Sequence, residues 1–228
     1  MSRGKMTKAK CLYCQEDFTT ISIAKHLGSC AKRLDAIKKA ESGKLETETL
    51  YYVRAYEPYH KDFWLDLEIR GSAKIKDLDY YLREIWLECC GHLSEFSAGG
   101  WGSAKIAMTK KVGEVFDKYA EITHIYDFGS ESQTAVKFIS KRQGKPLSKY
   151  PIELMARNLT PEVTCRECKE VAKWLCLECL YETEIGGLIC QKHYKNHKSH
   201  DNYGDVLELI NSPRLGTCGY EGPANPPY

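Results

Sequence analysis

Between residues 165 and 200 the chain sets five cysteines and three histidines in one rhythm, Cys165-x2-Cys168-x7-Cys176-x2-Cys179-x10-Cys190-x2-His193-x3-His197-x2-His200. No other feature restricts the fold so tightly. Donors paired two or three residues apart can grip one ion from a tight turn, and eight donors suffice for two tetrahedral zinc ions. Spacing alone permits either sequential or interleaved pairing. Both sites are expected to be closed by protein ligands, so each ion serves folding rather than catalysis. Val171, Ala172, Trp174, Leu175 and Leu177 supply a small core between the ligands, and Lys192, Lys195 and Lys198 form a basic rim.

A second array stands near the start, Cys11-x2-Cys14-x11-His26-x3-Cys30. His26 and Cys30 are four residues apart, so a helix turns both toward one ion. Phe18 and Ile23 lie where a small finger needs core side chains, and Thr20 or Ser22 is placed to cap the helix. The array resembles a short zinc finger of the Cys-Cys-His-Cys type. Beyond it, Leu34 and Ile37 with Lys32, Arg33, Lys38 and Lys39 continue an amphipathic basic helix that ends at Glu41-Ser42-Gly43. That helix either lies on phosphate or packs its apolar stripe on the next domain, and only the first arrangement makes binding strongly salt-dependent.

Eleven cysteines would suggest disulfides in a secreted chain, but the opening residues MSRGKMTKAK carry no apolar signal core. The expected compartment is therefore the cytoplasm, where thiols stay reduced and favour metal. An apolar fraction of 43% argues against disorder, and the lack of a run of about 20 apolar residues argues against a membrane span. Charge is uneven. Residues 1–44 carry ten Lys/Arg against four Asp/Glu, residues 45–150 carry 15 against 16, and residues 151–228 carry 8 against 11. With three zinc ions bound, the formal +2 falls to about zero, which points to a specific docking surface with a basic N-terminal contact rather than general polyanion binding.

From Leu50 the pattern alternates. Tyr51, Val53 and Ala55 face one way and Tyr52, Arg54 and Tyr56 the other, and Phe63, Leu65, Leu67 and Ile69 continue the alternation in a second strand. Asp77 is placed to cap a helix with a stripe of Leu78, Leu82, Ile85, Trp86 and Cys89, ending near Gly91. Further strands are expected at 105–108, 122–128 and 134–140, and a short helix at 152–158.

The run His92-Leu93-x2-Phe96 with Ile122-Thr-His-Ile-Tyr126-Asp127-Phe128-Gly129 resembles the Ri-plasmid ORF-three-like domain, also called the TnpR-like passenger domain of transposons, over residues 50–140. Cys218-Gly219-Tyr220 is similar to a segment that closes many members. The resemblance implies a fold more than a function. Where many members continue with an acidic residue, Trp and His, this chain has Ser132 and Thr134 at the Trp and His positions, which weakens an enzyme reading. The C-terminal array resembles a B-box. That resemblance implies a cross-brace, with Cys165, Cys168, Cys190 and His193 on one ion and Cys176, Cys179, His197 and His200 on the other, and a protein-facing surface that supports docking or oligomerisation.

Other candidates read as structural. Asp127 suits a turn before Phe-Gly better than a general base. His92 beside Cys89 and Cys90 suits either a metal site or the core, and the place of Cys89 on the apolar stripe favours the core; His60 and His124 lack partners at ligand spacing, and Cys218 reads as a free or buried thiol. The loop 99–103 lacks a phosphate-loop lysine. Tyr52, Arg54 and Tyr56 suit either cross-strand packing or stacking on unpaired RNA bases. The tail from Gly216 lacks periodicity and reads as extended, with Tyr220 able to dock.

The sequence therefore predicts an α+β protein, a central sheet-and-helix domain (45–150) flanked by two small zinc-binding modules (1–44 and 151–228), holding three zinc ions. The expected role is a non-enzymatic interaction protein docking on a ribonucleoprotein, plausibly the ribosome, as a regulator of translation or subunit association, in monomeric or homodimeric form. RNA contact would run through Lys32, Arg33, Lys38, Lys39, Tyr52, Arg54 and Tyr56. A DNA accessory factor of a mobile element and a hydrolase built around Asp127 are the alternatives.

Overall fold

The chain opens with a hairpin of β1 (Lys8–Cys11) and β2 (Asp17–Thr19), then helices α1 (Ser22–Ser29) and α2 (Ala31–Glu41). These come from a computed structural model that describes residues 7–59, 61–183, 186–197 and 206–222. β3 (Glu48–Tyr56) and β4 (Trp64–Arg70) follow, then α3 (Ile75–Leu82), β5 (Ser94–Ser97), β6 (Lys105–Ile106), α4 (Val112–Phe116), β7 (Glu121–Tyr126), β8 (Ser132–Gly144) and β9 (Ile152–Asn158). The remainder holds β10 (Trp174–Leu175), α5 (Leu177–Glu182), β11 (Leu188–Ile189), α6 (Gln191–Tyr194) and β12 (Leu207–Glu208).

One antiparallel sheet runs through most of the molecule in the order β2-β1-β9-β4-β3-β8-β7-β5-β6. The protein is α+β, with a central sheet and helices and with Cys/His clusters near its two ends. The N-terminal module is not a separate bead. Its strand β1 pairs with β9 through Ala9–Asn158, Lys10–Arg157 and Cys11–Ala156. β9 covers residues 152–158, where the sequence suggested a helix. Its apolar positions are too few to distinguish the two periods, and Ile152 and Leu154 join one core while Met155 and Ala156 join the other. The boundary drawn at residue 150 therefore falls one strand before the central sheet ends.

The sheet separates two cores. Tyr51, Val53, Ala55, Leu65, Leu67 and Ile69 pack beneath α3, α4 and the turn that follows α3. On the opposite face, Tyr52 and Trp64 pack with Ala9, Cys11, Ile23, Leu27 and Cys30 of the N-terminal module. Asp77 stands at the third position of α3 rather than at its cap, and its carboxylate accepts from the backbone N–H of Lys74 at 2.7 Å. The first helix is likewise capped by neither Thr20 nor Ser22. The Thr19 hydroxyl takes the backbone N–H of Ser22 at 3.2 Å. After α3, residues Arg83–Leu87 form a π-helical turn that buries Ile85, Trp86 and Leu87 together.

A charged layer joins the N-terminal module to the sheet. Glu68 is buried, accepts two bonds from Arg142 at 2.9 and 2.6 Å, and takes a third from Arg33 at 2.7 Å. Arg33 is 8% exposed whereas Leu34 is 47% exposed, so the inward face of α2 is set by this ion pair and not by the apolar stripe that the sequence suggested. Removing one member of such a cluster strands buried charge. Glu68→Gln is expected to lower unfolding free energy by about 3 kcal/mol and to weaken amide protection in α2 before the sheet, as read by denaturant titration and hydrogen exchange.

Candidate metal centres

In a tetrahedron with zinc–sulfur bonds of about 2.3 Å, neighbouring sulfurs stand about 3.8 Å apart. The structure meets that measure at several places. The β1–β2 turn presents Cys11 and Cys14, and α1 brings His26 to them with Cys30 just past its end, so four donors converge. Cys11 Sγ is 3.9 Å from Cys30 Sγ, and Cys14 Sγ is 3.3 Å from His26 Nε2. Gln15, just after Cys14, takes a left-handed backbone (φ 64°) that turns the chain away from the site. The His26 ring stacks on Phe18 at 3.7 Å. Burial pushes the Cys11 thiol up to about 11, so an ion binding here has to displace that proton.

The C-terminal array is interleaved. Cys165 and Cys168 come from the loop before β10, while Cys190 and His193 flank the start of α6, and these four donors meet. Cys168 and Cys190 are 3.8 Å apart, and His193 Nδ1 stands 3.4 Å from Cys165 and 3.5 Å from Cys190. Glu167 faces the other ring nitrogen of His193 at 3.9 Å, the position of an orienting carboxylate. The Cys165 thiol is lowered to about 6. Burial opposes that shift, and the Glu167 N–H with His193 and Cys190 outweighs it. Cys176, Cys179 and His197 form the other group, with His197 Nε2 3.7 Å from Cys179. His200 lies outside the described residues. The geometry thus pairs the first ligand pair with the third, an arrangement that spacing had left open.

A further group gains a member that the sequence did not connect to it. Cys89, Cys90 and His92, at the end of the π-helical turn, lie against Cys218 from the far end of the chain. Cys218, read from the sequence as a thiol without a partner, thus stands beside His92 across 126 residues of chain. Four Cys/His clusters among the described residues can therefore hold metal ions, where three ions had been expected.

Beside this last group is a buried ion pair. Arg214, fully buried, donates to Asp127 Oδ2 at 2.5 Å and to Ser132 Oγ at 2.7 Å, and its guanidinium lies over the Tyr126 ring at 4.8 Å. Asp127 Oδ1 accepts from the N–H groups of Gly129 and Ser130, the turn-forming role expected of it. Burial acts to raise the Asp127 carboxyl, yet Arg214 and these N–H groups hold it below the usual carboxylate range. Nothing in the sequence marked Arg214. Tyr220 of the tail is docked as expected, at 2% exposed, and upstream of it Ser212 Oγ donates to the Trp86 carbonyl at 2.7 Å.

The proposed nucleic-acid residues divide. Lys32, Lys38 and Lys39 are exposed. Arg33 is held by Glu68. Tyr52 is buried, Tyr56 is half-buried, and Arg54 makes a two-bond pair with Asp66 at 2.8 Å while donating to the Thr20 carbonyl. The face they share is covered by the N-terminal module, which leaves no open aromatic platform there. His124 is buried and bonded to Asp79 at 2.7 Å, and His60 lies outside the described residues.

No family model matches the chain, and no curated protein matches it. Among solved structures it is similar to a protein of unknown function from Methanosarcina mazei Go1, at 18% identity and a TM-score of 0.39. That similarity covers 46% of this chain and 66% of the other.

Proposed function

We propose that the chain is a non-enzymatic, zinc-stabilised binding protein that docks on a ribonucleoprotein, with the ribosome as the favoured target. The observation that carries the reading is the closure of the terminal clusters. Two of them collect four protein donors each, which leaves a bound zinc no position for substrate. Asp127, the base that the hydrolase alternative would use, is committed to Arg214 and to its own turn. What the modules offer outward is basic. Lys32, Lys38 and Lys39 project from α2, and Lys173, Lys192 and Lys195 line an open groove on the C-terminal module together with Glu170 and Val171. Among the described residues no helix is long and apolar enough to cross a membrane. Residues 50–140, which resemble the ORF-three-like domain, would on this reading form the scaffold that carries the two modules.

Co-sedimentation with ribosomal particles tests it. Binding at low salt is expected to fall steeply as salt rises, and Lys32→Glu with Lys38→Glu and Lys39→Glu is expected to weaken it tenfold or more without changing metal content. Absence from every particle fraction at low salt removes the reading. Binding to duplex DNA that survives ribonuclease would replace it with the DNA alternative.

A further inference from the structure

We propose that Cys89, Cys90, His92 and Cys218 form a fourth zinc site, an accessible clasp that fastens the C-terminal segment to the end of the central helix. None of its residues belongs to the terminal ligand clusters, so it stands or falls apart from the reading above.

The distances are those of a tetrahedral site. Cys89 and Cys90 sulfurs stand 3.7 Å apart, and Cys90 and Cys218 sulfurs 3.8 Å. His92 Nε2 is 2.9 Å from Cys90 and 3.2 Å from Cys218. The sulfur–sulfur edges match those of the two modules, and the imidazole stands closer to its thiols than in either, although no ligand spacing enforced the meeting. Three thiolates and one imidazole are a donor set that selects zinc among the divalent ions.

Backbone geometry supports the aim of these side chains. Gly91 has φ 78°, which folds the chain so that His92 returns over Cys90. Cys218 itself adopts the left-handed conformation, φ 51° and ψ 37°, between Gly216 and Gly219, which are also left-handed. Non-glycine residues rarely adopt that conformation, and where they do the surrounding contacts must hold them. Of the described non-glycine residues with positive φ, Gln15 adjoins a ligand, Asp127 adjoins His92 and Cys218 is itself a ligand.

The surroundings suit the charge. Zinc with three thiolates carries a net −1, and the Arg214 guanidinium stands 3.4 Å from Cys89 Sγ, with the Tyr126 hydroxyl at 3.7 Å. Asp127, 3.5 Å from His92 Nε2, is held by Arg214 and does not compete for the ion. Cys90 and Cys218 are exposed, whereas each other cluster has at least one fully buried cysteine. This ion is therefore the one a chelator reaches first.

Metal analysis of the full-length chain decides the matter through a difference. Wild type is expected to hold one more zinc ion than Cys218→Ser and than His92→Gln, and the last two to show equal content. A mild chelator should release that ion before the rest, and hydrogen exchange should then rise across residues 206–222 while the terminal clusters stay protected. Alkylation with a maleimide gives a reading that needs no variant. In zinc-loaded protein Cys90 and Cys218 should resist modification until chelator is added. Equal zinc in wild type and both variants, or immediate alkylation of Cys90 and Cys218 in loaded protein, overturns the site and leaves the terminal modules untouched. A shortfall at the terminal clusters, with the difference of one ion preserved, overturns the earlier reading instead.

Discussion

Exhaustive chelation at neutral pH is expected to unfold residues 165–197 outright while the central sheet keeps its structure. The C-terminal module's own buried cluster consists of Cys176, Cys179 and Ile189, so two of its three members belong to a candidate metal site. Outside that cluster the described residues of 165–197 bury only Leu175 and Ala172 as further aliphatic side chains; a fully buried large aliphatic side chain contributes about 1.5–3 kcal/mol, whereas a structural zinc site contributes on the order of 10 kcal/mol. The ion, not the core, decides whether this module folds. The central domain has a large apolar core on one face of its sheet and needs no metal to hold it. Hydrogen exchange before and after chelation should show protection collapsing in α5, β11 and α6 and persisting in β3, β4 and β8. Cys176→Ser should reproduce the local loss with the other sites loaded. Retention of protection in α5 and α6 after every ion is removed would contradict this account.

Arg214→Ala is expected to be the most damaging single substitution in the C-terminal segment, lowering unfolding free energy by about 3–5 kcal/mol. The change removes the partner of a buried carboxylate and also empties contacts to Ser132 and the Tyr126 ring. Most of that cost is the stranded charge of Asp127 rather than the worth of the pair. In an Asp127→Asn background the same Arg214→Ala step should therefore cost much less, and denaturant titrations of the four proteins give the coupling energy directly. Equal costs in both backgrounds would show that Arg214 acts through packing alone.

What the sequence revealed was local. Cys11, Cys14, His26 and Cys30 declare themselves because each pair lies within one turn or one helix, and β3 and β4 because their side chains alternate without interruption. What it concealed depends on chain topology. Residues 152–158 are too short to distinguish helix from strand by periodicity, and only the neighbours β1 and β4 make them a strand. Arg33 sits at an inward position because Glu68 and Arg142 await it there, a partnership between residues 35 and 109 positions away that no local pattern encodes. Cys218 looked solitary because its companions lie 126 and more residues earlier. Interleaved pairing in the C-terminal array was undecidable from spacing for the same reason.

The join between β1 and β9 makes residues 1–44 a cover as well as a module. A chain trimmed at that point would leave β9 as a bare rim, its N–H and C=O groups offered to any strand that drifted past, and would uncover Trp64 and Met155 together. The N-terminal module thus guards against sticking between copies, and trimming it to isolate the middle of the protein is expected to yield a particle prone to clump.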